Sequence, residues 1–227
     1  MMSDTAQRPR QIPLDLPWPR HDRASRSDFI VSESNQKAVG FLDNSANWPD
    51  GRLALIGPEG CGKTHLALAW AEQVSAQFVD GEIAPRSLVG SGCVVFEDCD
   101  RRLTSPEVEA ALFHLLNIVR EEGGKILITA RTPPARWATT LPDLASRLSA
   151  ITVAEVDSPD DDLLEQLVVK LFSDREIVIK DRLATYIAKR ADRSSAAIEM
   201  AVAMLDAKSL ELGQPVSTKM AREVFGW

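Results

Sequence analysis

Residues Leu53-Ala54-Leu55-Ile56 run directly into Gly57-Pro58-Glu59-Gly60-Cys61-Gly62-Lys63-Thr64, and no other stretch constrains the fold as much as this junction. A short continuous apolar run is what a strand buried on both faces needs, as in a parallel sheet. The eight residues after it match GxxxxGK[ST] without a break. The glycines let backbone N–H groups turn inward around a di- or triphosphate, Lys63 supplies a cation to the β- and γ-phosphates, and Thr64 offers its hydroxyl to Mg²⁺. Cys61 contributes its backbone N–H rather than its thiol. A helix running from Lys63 through Leu66, Ala67, Ala69, Trp70 and Val74 adds its positive N-terminal dipole to the same place. A chance glycine turn would not put strand, loop and helix in this order. ADP or ATP with Mg²⁺ is the expected ligand.

A phosphate loop that works on a nucleoside triphosphate needs a second strand ending in carboxylates. Cys93-Val94-Val95-Phe96-Glu97-Asp98 fits: four apolar residues bury a strand, and two acids emerge where ligands of open α/β sheets sit. Glu97 is expected to hold Mg²⁺ through water and Asp98 to orient the attacking water, with Asp100, Arg101 and Arg102 in a solvated turn. Ser105-Pro106-Glu107 starts a helix with a cap, a proline in its first turn and an acid. Lys125–Thr129 and Ile151–Val156 read as two more strands. Strands alternating with helices predict a parallel α/β sheet.

The C-terminal third is helical. Ser158-Pro159-Asp160-Asp161-Asp162 reads as a helix start with Ser158 as the cap, and the periodicity predicts further helices over 183–190, 195–212 and 218–225. Ile177-Val178-Ile179 is the only further strand candidate. The chain divides into an extended tail at 1–28, an α/β nucleotide-binding domain at 29–157 and a small helical lid at 158–227.

In the tail, Pro9, Pro13, Pro17 and Pro19 rule out helix. Gln11-Ile12-Pro13-Leu14-Asp15-Leu16 puts three aliphatic side chains on one face of an extended chain, either to dock on a partner or to pack on the chain itself. A net charge of −7 speaks against bulk phosphate neutralisation of nucleic acid. Three cysteines, 61, 93 and 99, make neither a disulfide framework nor a CxxC pair, and no apolar run reaches bilayer length. The chain reads as cytosolic, with no membrane partner.

With these elements placed, residues 28–225 resemble the DnaA-type branch of AAA+ proteins. Phe29-Ile30-Val31-Ser32-Glu33-Ser34 is similar to the stretch that lines the adenine pocket there, Gly62-Lys63-Thr64-His65-Leu66 to the end of its phosphate loop, Ile128-Thr129-Ala130-Arg131 to its sensor 1 strand, and Leu144-Ala145-Ser146-Arg147-Leu148 to its arginine-finger segment. The resemblance implies nucleotide contacts from Phe29, Ile30 and His65, and a role in trans for Arg147. The hexapeptide at Gln11, Ile12, Leu14 and Leu16 resembles the motif by which bacterial replication proteins enter the β sliding clamp. With the chain ending at Trp227, the family's DNA-reading domain is not expected, nor is direct sequence-specific DNA binding. A clamp-tethered negative regulator, stimulating ATP hydrolysis on a DnaA-type initiator, is the implied function. A small P-loop ATPase or kinase with its own substrate and a loader or adaptor are the alternatives, and homo-oligomers are compatible with all three. Glu97 stands where most relatives have Asp, Arg131 occupies the sensor 1 position, and Ala196 falls where a sensor 2 arginine would sit, with Arg193 nearby as a substitute. These departures imply weak or no ATPase activity of the chain itself.

Overall fold

The computed structural model describes residues 29–79 and 91–227. The hexapeptide Gln11–Leu16 lies outside the described residues.

The elements follow in the order α1 (Gln36–Asp43), β1 (Arg52–Ile56), α2 (Lys63–Val74), β2 (Gln77–Val79), β3 (Cys93–Phe96), α3 (Cys99–Arg102), α4 (Pro106–Glu121), β4 (Lys125–Ala130), α5 (Pro142–Ser149) and β5 (Thr152–Glu155). Four helices come after them: α6 (Asp161–Ser173), α7 (Asp181–Ala188), α8 (Ser195–Leu212) and α9 (Thr218–Phe225). The strands form one parallel sheet in the order β2-β3-β4-β1-β5. In register, Ile56 stands opposite both Ala130 and Glu155, and Phe96 opposite Ile128. The C-terminal ends of the central strands therefore finish at one level, and the turns leaving them share one edge.

Alternation along the buried strands gives the sheet two apolar faces. Leu53, Leu55, Val95 and Leu127 point to one side and pack with α1 and α2. Ala54, Ile56, Val94, Phe96, Ile126 and Ile128 point to the other and meet Leu112, Leu116 and Val119 of α4 and Leu144 and Leu148 of α5. Fully burying side chains of this kind is worth about 1.5–3 kcal/mol each before entropy is charged. A third core, with Leu164, Val168, Phe172, Ile187, Val202 and Leu205 among its members, belongs to α6–α9 alone.

Three local expectations need correction. Helix α6 does not start at Ser158-Pro159. Asp160 is the cap, its Oδ1 accepting from the Leu163 N–H at 2.7 Å while its Oδ2 takes the Ser34 N–H at 3.3 Å, and this double anchorage sets the start two residues later. Residues 177–179 pair with no strand among the described residues: Ile177 and Ile179 pack on the helical core while Val178 is 98% exposed, an alternation produced without a sheet. Asp100–Arg102 is solvated as expected, with Arg101 and Arg102 exposed, but the turn is the one-turn helix α3. Cys61, Cys93 and Cys99 are free thiols and all are buried. Among the described residues no helix is long and apolar enough to cross a membrane.

Candidate phosphate-binding site

The loop between β1 and α2 is shaped by backbone that side chains would not tolerate. Gly57, Gly60 and Gly62 have φ of 155°, 76° and 100°, in the region that favours glycine. A Cβ on Gly57 would lie 2.1 Å from the Val156 carbonyl oxygen. Helix α2 opens on Gly62 with no side-chain cap, so its first-turn N–H groups have no partner within the helix and face the loop's interior. Lys63 is 8% exposed, and its Nζ donates to the Gly57 and Pro58 carbonyls at 2.8 and 2.7 Å. These bonds hold the ammonium at the loop, where phosphate oxygens would compete for it. Thr64 is exposed beside it. Burial pushes the Cys61 thiol up, against the opposing pull of Lys63, so the sulfur stays protonated and packs.

Across the same edge, the end of β3 carries the acids. Glu97 has a buried Oε1 with no hydrogen-bond partner, a costly arrangement unless water or a cation completes it. That orphaned oxygen and the exposed Thr64 hydroxyl fit a hydrated Mg²⁺. Among the described residues no three His, Cys, Asp or Glu side chains stand together as a metal cage. An ion here would take its remaining ligands from phosphate and water, the usual habit of Mg²⁺. Asp98 sits at φ 48°, and its N–H is held by Thr129 Oγ1 at 3.0 Å; backbone strain of this kind is stored where surrounding structure enforces it. Asp100 Oδ2 takes the Arg131 N–H at 2.9 Å, and the Arg131 guanidinium reaches Glu59 in the phosphate loop at 2.5 Å. The turn after β4 is thereby tied both to α3 and to the loop. The Arg131–Glu59 pair is exposed, so its energy is small and its value is positional.

On the other side of the loop the Phe29 ring stacks on His65, centroids 5.5 Å apart. The Ile30 carbonyl accepts from Asn35 Nδ2 at 3.0 Å. Asp160 joins this segment to α6. Desolvation opposes its charge, but the Leu163 N–H, the Ser32 hydroxyl and the Ser34 N–H and hydroxyl outweigh it and hold the carboxyl below the usual range.

Helix α8 touches the loop directly. Ser195 N–H points to the Gly60 carbonyl at 3.4 Å, and a Cβ on Gly60 would come within 2.5 Å of Ser194 Cβ. Ala196 follows in the first turn. Arg193 is engaged elsewhere, with Asp161 at 2.5 Å and the Pro159 carbonyl at 2.7 Å, so it braces the start of α6 in this structure.

Arg147, in the last turn of α5, lies with its guanidinium 4.7 Å from the Phe113 ring centroid. It forms no ion pair with Asp143 or any other described carboxylate. Helix α5 is set by Glu109, a 5% exposed acid on α4. Its carboxylate accepts from Thr140 N–H at 2.9 Å, Thr140 Oγ1 at 2.8 Å and Leu141 N–H at 3.3 Å.

No protein-family model matches the chain. Domain III of the Thermotoga maritima replication initiation protein DnaA superposes with a TM-score of 0.75 at 19% identity, over 89% of this chain and 95% of that one. In sequence, the chain is 23% identical over 234 residues to the chromosomal replication initiator protein DnaA of Desulfotalea psychrophila, a match covering 91% of this chain and 49% of DnaA. In sequence, at low identity, and in fold the chain is similar to the AAA+ domain of DnaA. It spans about half the length of the DnaA protein it matches. A DnaA structure bound to AMPPCP and single-stranded DNA superposes with a TM-score of 0.69 at 15% identity, over 86% of this chain and 67% of that one. The AAA+ P-loop α/β fold with a helical lid is the fold of this chain.

Several residues of this site escape a reading by motif. Glu59 and Arg131 are 72 positions apart, and only the fold brings them together. Glu109 did leave a signal: it falls on the core face of α4 with Leu112, Leu116 and Val119, and a carboxylate on such a face must find donors. Phe113 left none, because an aromatic in an amphipathic helix reads as packing.

Proposed function

We propose that this chain is an Hda-type regulator, a DnaA-related protein that is nucleotide-bound, tethered to the β sliding clamp through Gln11, Ile12, Leu14 and Leu16, and able to stimulate hydrolysis of ATP held by a DnaA-type initiator. The observation that carries the reading is the state of Arg147. Its guanidinium rests on the Phe113 face, with no carboxylate bound to it among the described residues. Its helix is fixed by a buried carboxylate at the other end. A guanidinium held this way keeps its fork for a partner. As a γ-phosphoryl group leaves, negative charge spreads over its oxygens, and an arginine supplied in trans stabilises that charge by about 10³–10⁵ in rate.

The chain's own nucleotide has a different task in this scheme. Lys63 and the first-turn N–H groups of α2 bind its phosphates, Thr64 and Glu97 hold Mg²⁺, and Phe29, Ile30 and His65 border the base. The relatives' binding of AMPPCP supports a nucleoside phosphate as ligand. Because α8 leans on Gly60, an occupied loop fixes the position of the lid, and with it the surface shown to a partner. Self-hydrolysis is weak: Ala196 offers no cation, and Arg131 is occupied by Glu59.

The test is single-turnover hydrolysis of ATP pre-bound to a DnaA-type initiator, with and without this chain and a DNA-loaded clamp. Acceleration that needs both chain and clamp supports the reading. Hydrolysis of free ATP by the chain alone, with no effect on the initiator, assigns it instead as an ATPase with its own substrate.

A further inference from the structure

We propose that the segment preceding residue 29 docks along the outer face of α8. The helix is apolar on two sides. Ile198, Ala201, Val202 and Leu205 enter the helical core. On the opposite side Ala196, Met200, Ala203, Met204, Ala207 and Leu210 form a continuous exposed stripe, with Met200 65%, Met204 43% and Leu210 64% exposed. A helix apolar all round is normally covered all round. Its neighbours follow the ordinary rule: α9 turns Lys219, Arg222 and Glu223 outward, and α7 turns Asp181 and Arg182 outward. The outer stripe of α8 lacks a cover among the described residues.

Length and position point to the chain's own first 28 residues. The stripe begins at the nucleotide cleft, where Ser195 meets Gly60. Phe29 lies at the same cleft, stacked on His65 in the first turn of α2. The described chain thus begins beside the helix that leaves the phosphate loop, and the start of α8 touches that same loop. An 18-residue helix is about 27 Å long, and the 13 residues from Leu16 to Phe29 can span up to roughly 43 Å, so the reach is ample. Ile12, Leu14, Leu16 and Trp18 alternate along that segment. In an extended chain alternate side chains recur every ~6.6 Å, close to the ~6 Å between Met200 and Met204 along the helix.

Charge favours this occupant over a second copy. Glu199, Asp206 and Glu211 border the stripe; Asp206 and Glu211 already meet Arg175 and Lys208, and Glu199 has no ion pair among the described residues. Two copies of α8 packed antiparallel about a two-fold axis would bring like edges together, Glu199 towards the partner's Asp206. The segment's apolar face, by contrast, is flanked by Arg8, Arg10, Arg20, Arg23 and Arg26. Docking uses the face that the proposed clamp-binding reading also uses, so α8 and the clamp compete for it; that consequence rests on the clamp reading, while the docking itself does not.

The experiment uses the full chain with p-benzoylphenylalanine in place of Trp18, and a control carrying it in place of Ser3. After irradiation, cross-linked peptides are mapped by mass spectrometry. The expected result is a monomer-mass product with most cross-links in residues 196–212, reduced at least fivefold by Met200→Asp with Met204→Asp, two exposed changes whose effect on folding is checked by thermal unfolding. Cross-links spread as from position 3, insensitivity to the double substitution, or a product of dimer mass overturns the proposal. A second readout separates it from the clamp reading: if the segment is docked about 90% of the time, the double substitution tightens clamp binding about tenfold. Cross-linking to α8 without any clamp binding leaves the docking in place and removes the clamp.

Discussion

Gly60 links the phosphate loop to the lid, and replacing it with alanine tests that link quantitatively. The backbone there has φ 76°, and the new Cβ would meet Ser194 Cβ at 2.5 Å. Holding an L-residue in the left-handed region costs about 1–2 kcal/mol. Carbon atoms prefer about 3.5–4.0 Å, so Ser194 and the start of α8 must retreat by about 1 Å, an overpacking cost of about 1–3 kcal/mol. Gly60→Ala should therefore destabilise by about 3 kcal/mol. The two contributions can be separated, because Ser194→Gly removes the atom that collides. As the cap of α8, Ser194 accepts from the Ala197 N–H at 3.2 Å, and glycine at a cap costs only a few tenths of a kcal/mol. The double variant should recover at least about 1 kcal/mol relative to Gly60→Ala alone, a coupling that urea unfolding followed by circular dichroism resolves. A loss below about 0.5 kcal/mol for the single change, or no recovery in the double, would refute the packing of α8 on the loop.

Other predictions follow from the same geometry. Lys63→Ala removes a buried cation bound to two loop carbonyls; losing a charge-assisted contact of about 1.5–3 kcal/mol should weaken ADP binding roughly 10- to 150-fold, and unchanged affinity by calorimetry would sink the phosphate-site reading. Asp160 has its carboxyl held below the usual range by N–H and hydroxyl donors against the cost of burial. Its contribution to stability is therefore present above the unfolded value of about 3.9 and lost as pH falls through the lower folded value. The melting temperature of Asp160→Asn should thus lie below that of the wild type at pH 7, with the gap narrowing as the pH falls below the ordinary carboxylate range; a gap that does not change with pH contradicts the role assigned to the Ser34–Asp160 joint. Gln11→Ala with Leu14→Ala should abolish co-elution with the β clamp and leave nucleotide binding intact, since a short extended peptide relies on few anchors.

How much of this was legible depended on how locally each feature is determined. Helix α2 has the bounds its sequence predicts, Lys63–Val74, because glycine at one end and a continuous apolar face define it without help from elsewhere. Helices α8 and α9 likewise begin at serine caps, Ser194 and Ser217, whose oxygens accept from Ala197 and Met220 N–H groups. Strand β2 was illegible because three half-exposed residues, Gln77–Val79, carry no periodicity; it exists by pairing with β3 at the sheet edge. Helix α1 went unpredicted for a similar reason, being eight residues with only Ala38, Val39 and Leu42 buried. At the candidate site the contiguous motif was readable in full, whereas the Glu59–Arg131 tie, the Asp100–Arg131 bond and the Phe113 rest beneath Arg147 join segments dozens of residues apart. Such contacts follow from the sheet order, and a reading of local pattern cannot supply them.

The proposed regulatory role stands or falls on Arg147. The decisive measurement is the single-turnover rate at which initiator-bound ATP is hydrolysed in the presence of DNA-loaded clamp and either the wild-type chain, Arg147→Ala or Arg147→Lys. Each variant is first shown to bind ADP and clamp as the wild type does. Arg147 has no ion pair among the described residues to lose, so folding and both binding steps should survive. The alanine variant should lose all acceleration, and lysine should not restore it, because an ammonium lacks the planar fork that grips a phosphoryl group. Acceleration within twofold of wild type by Arg147→Ala would contradict the account and return this arginine to a packing role over Phe113.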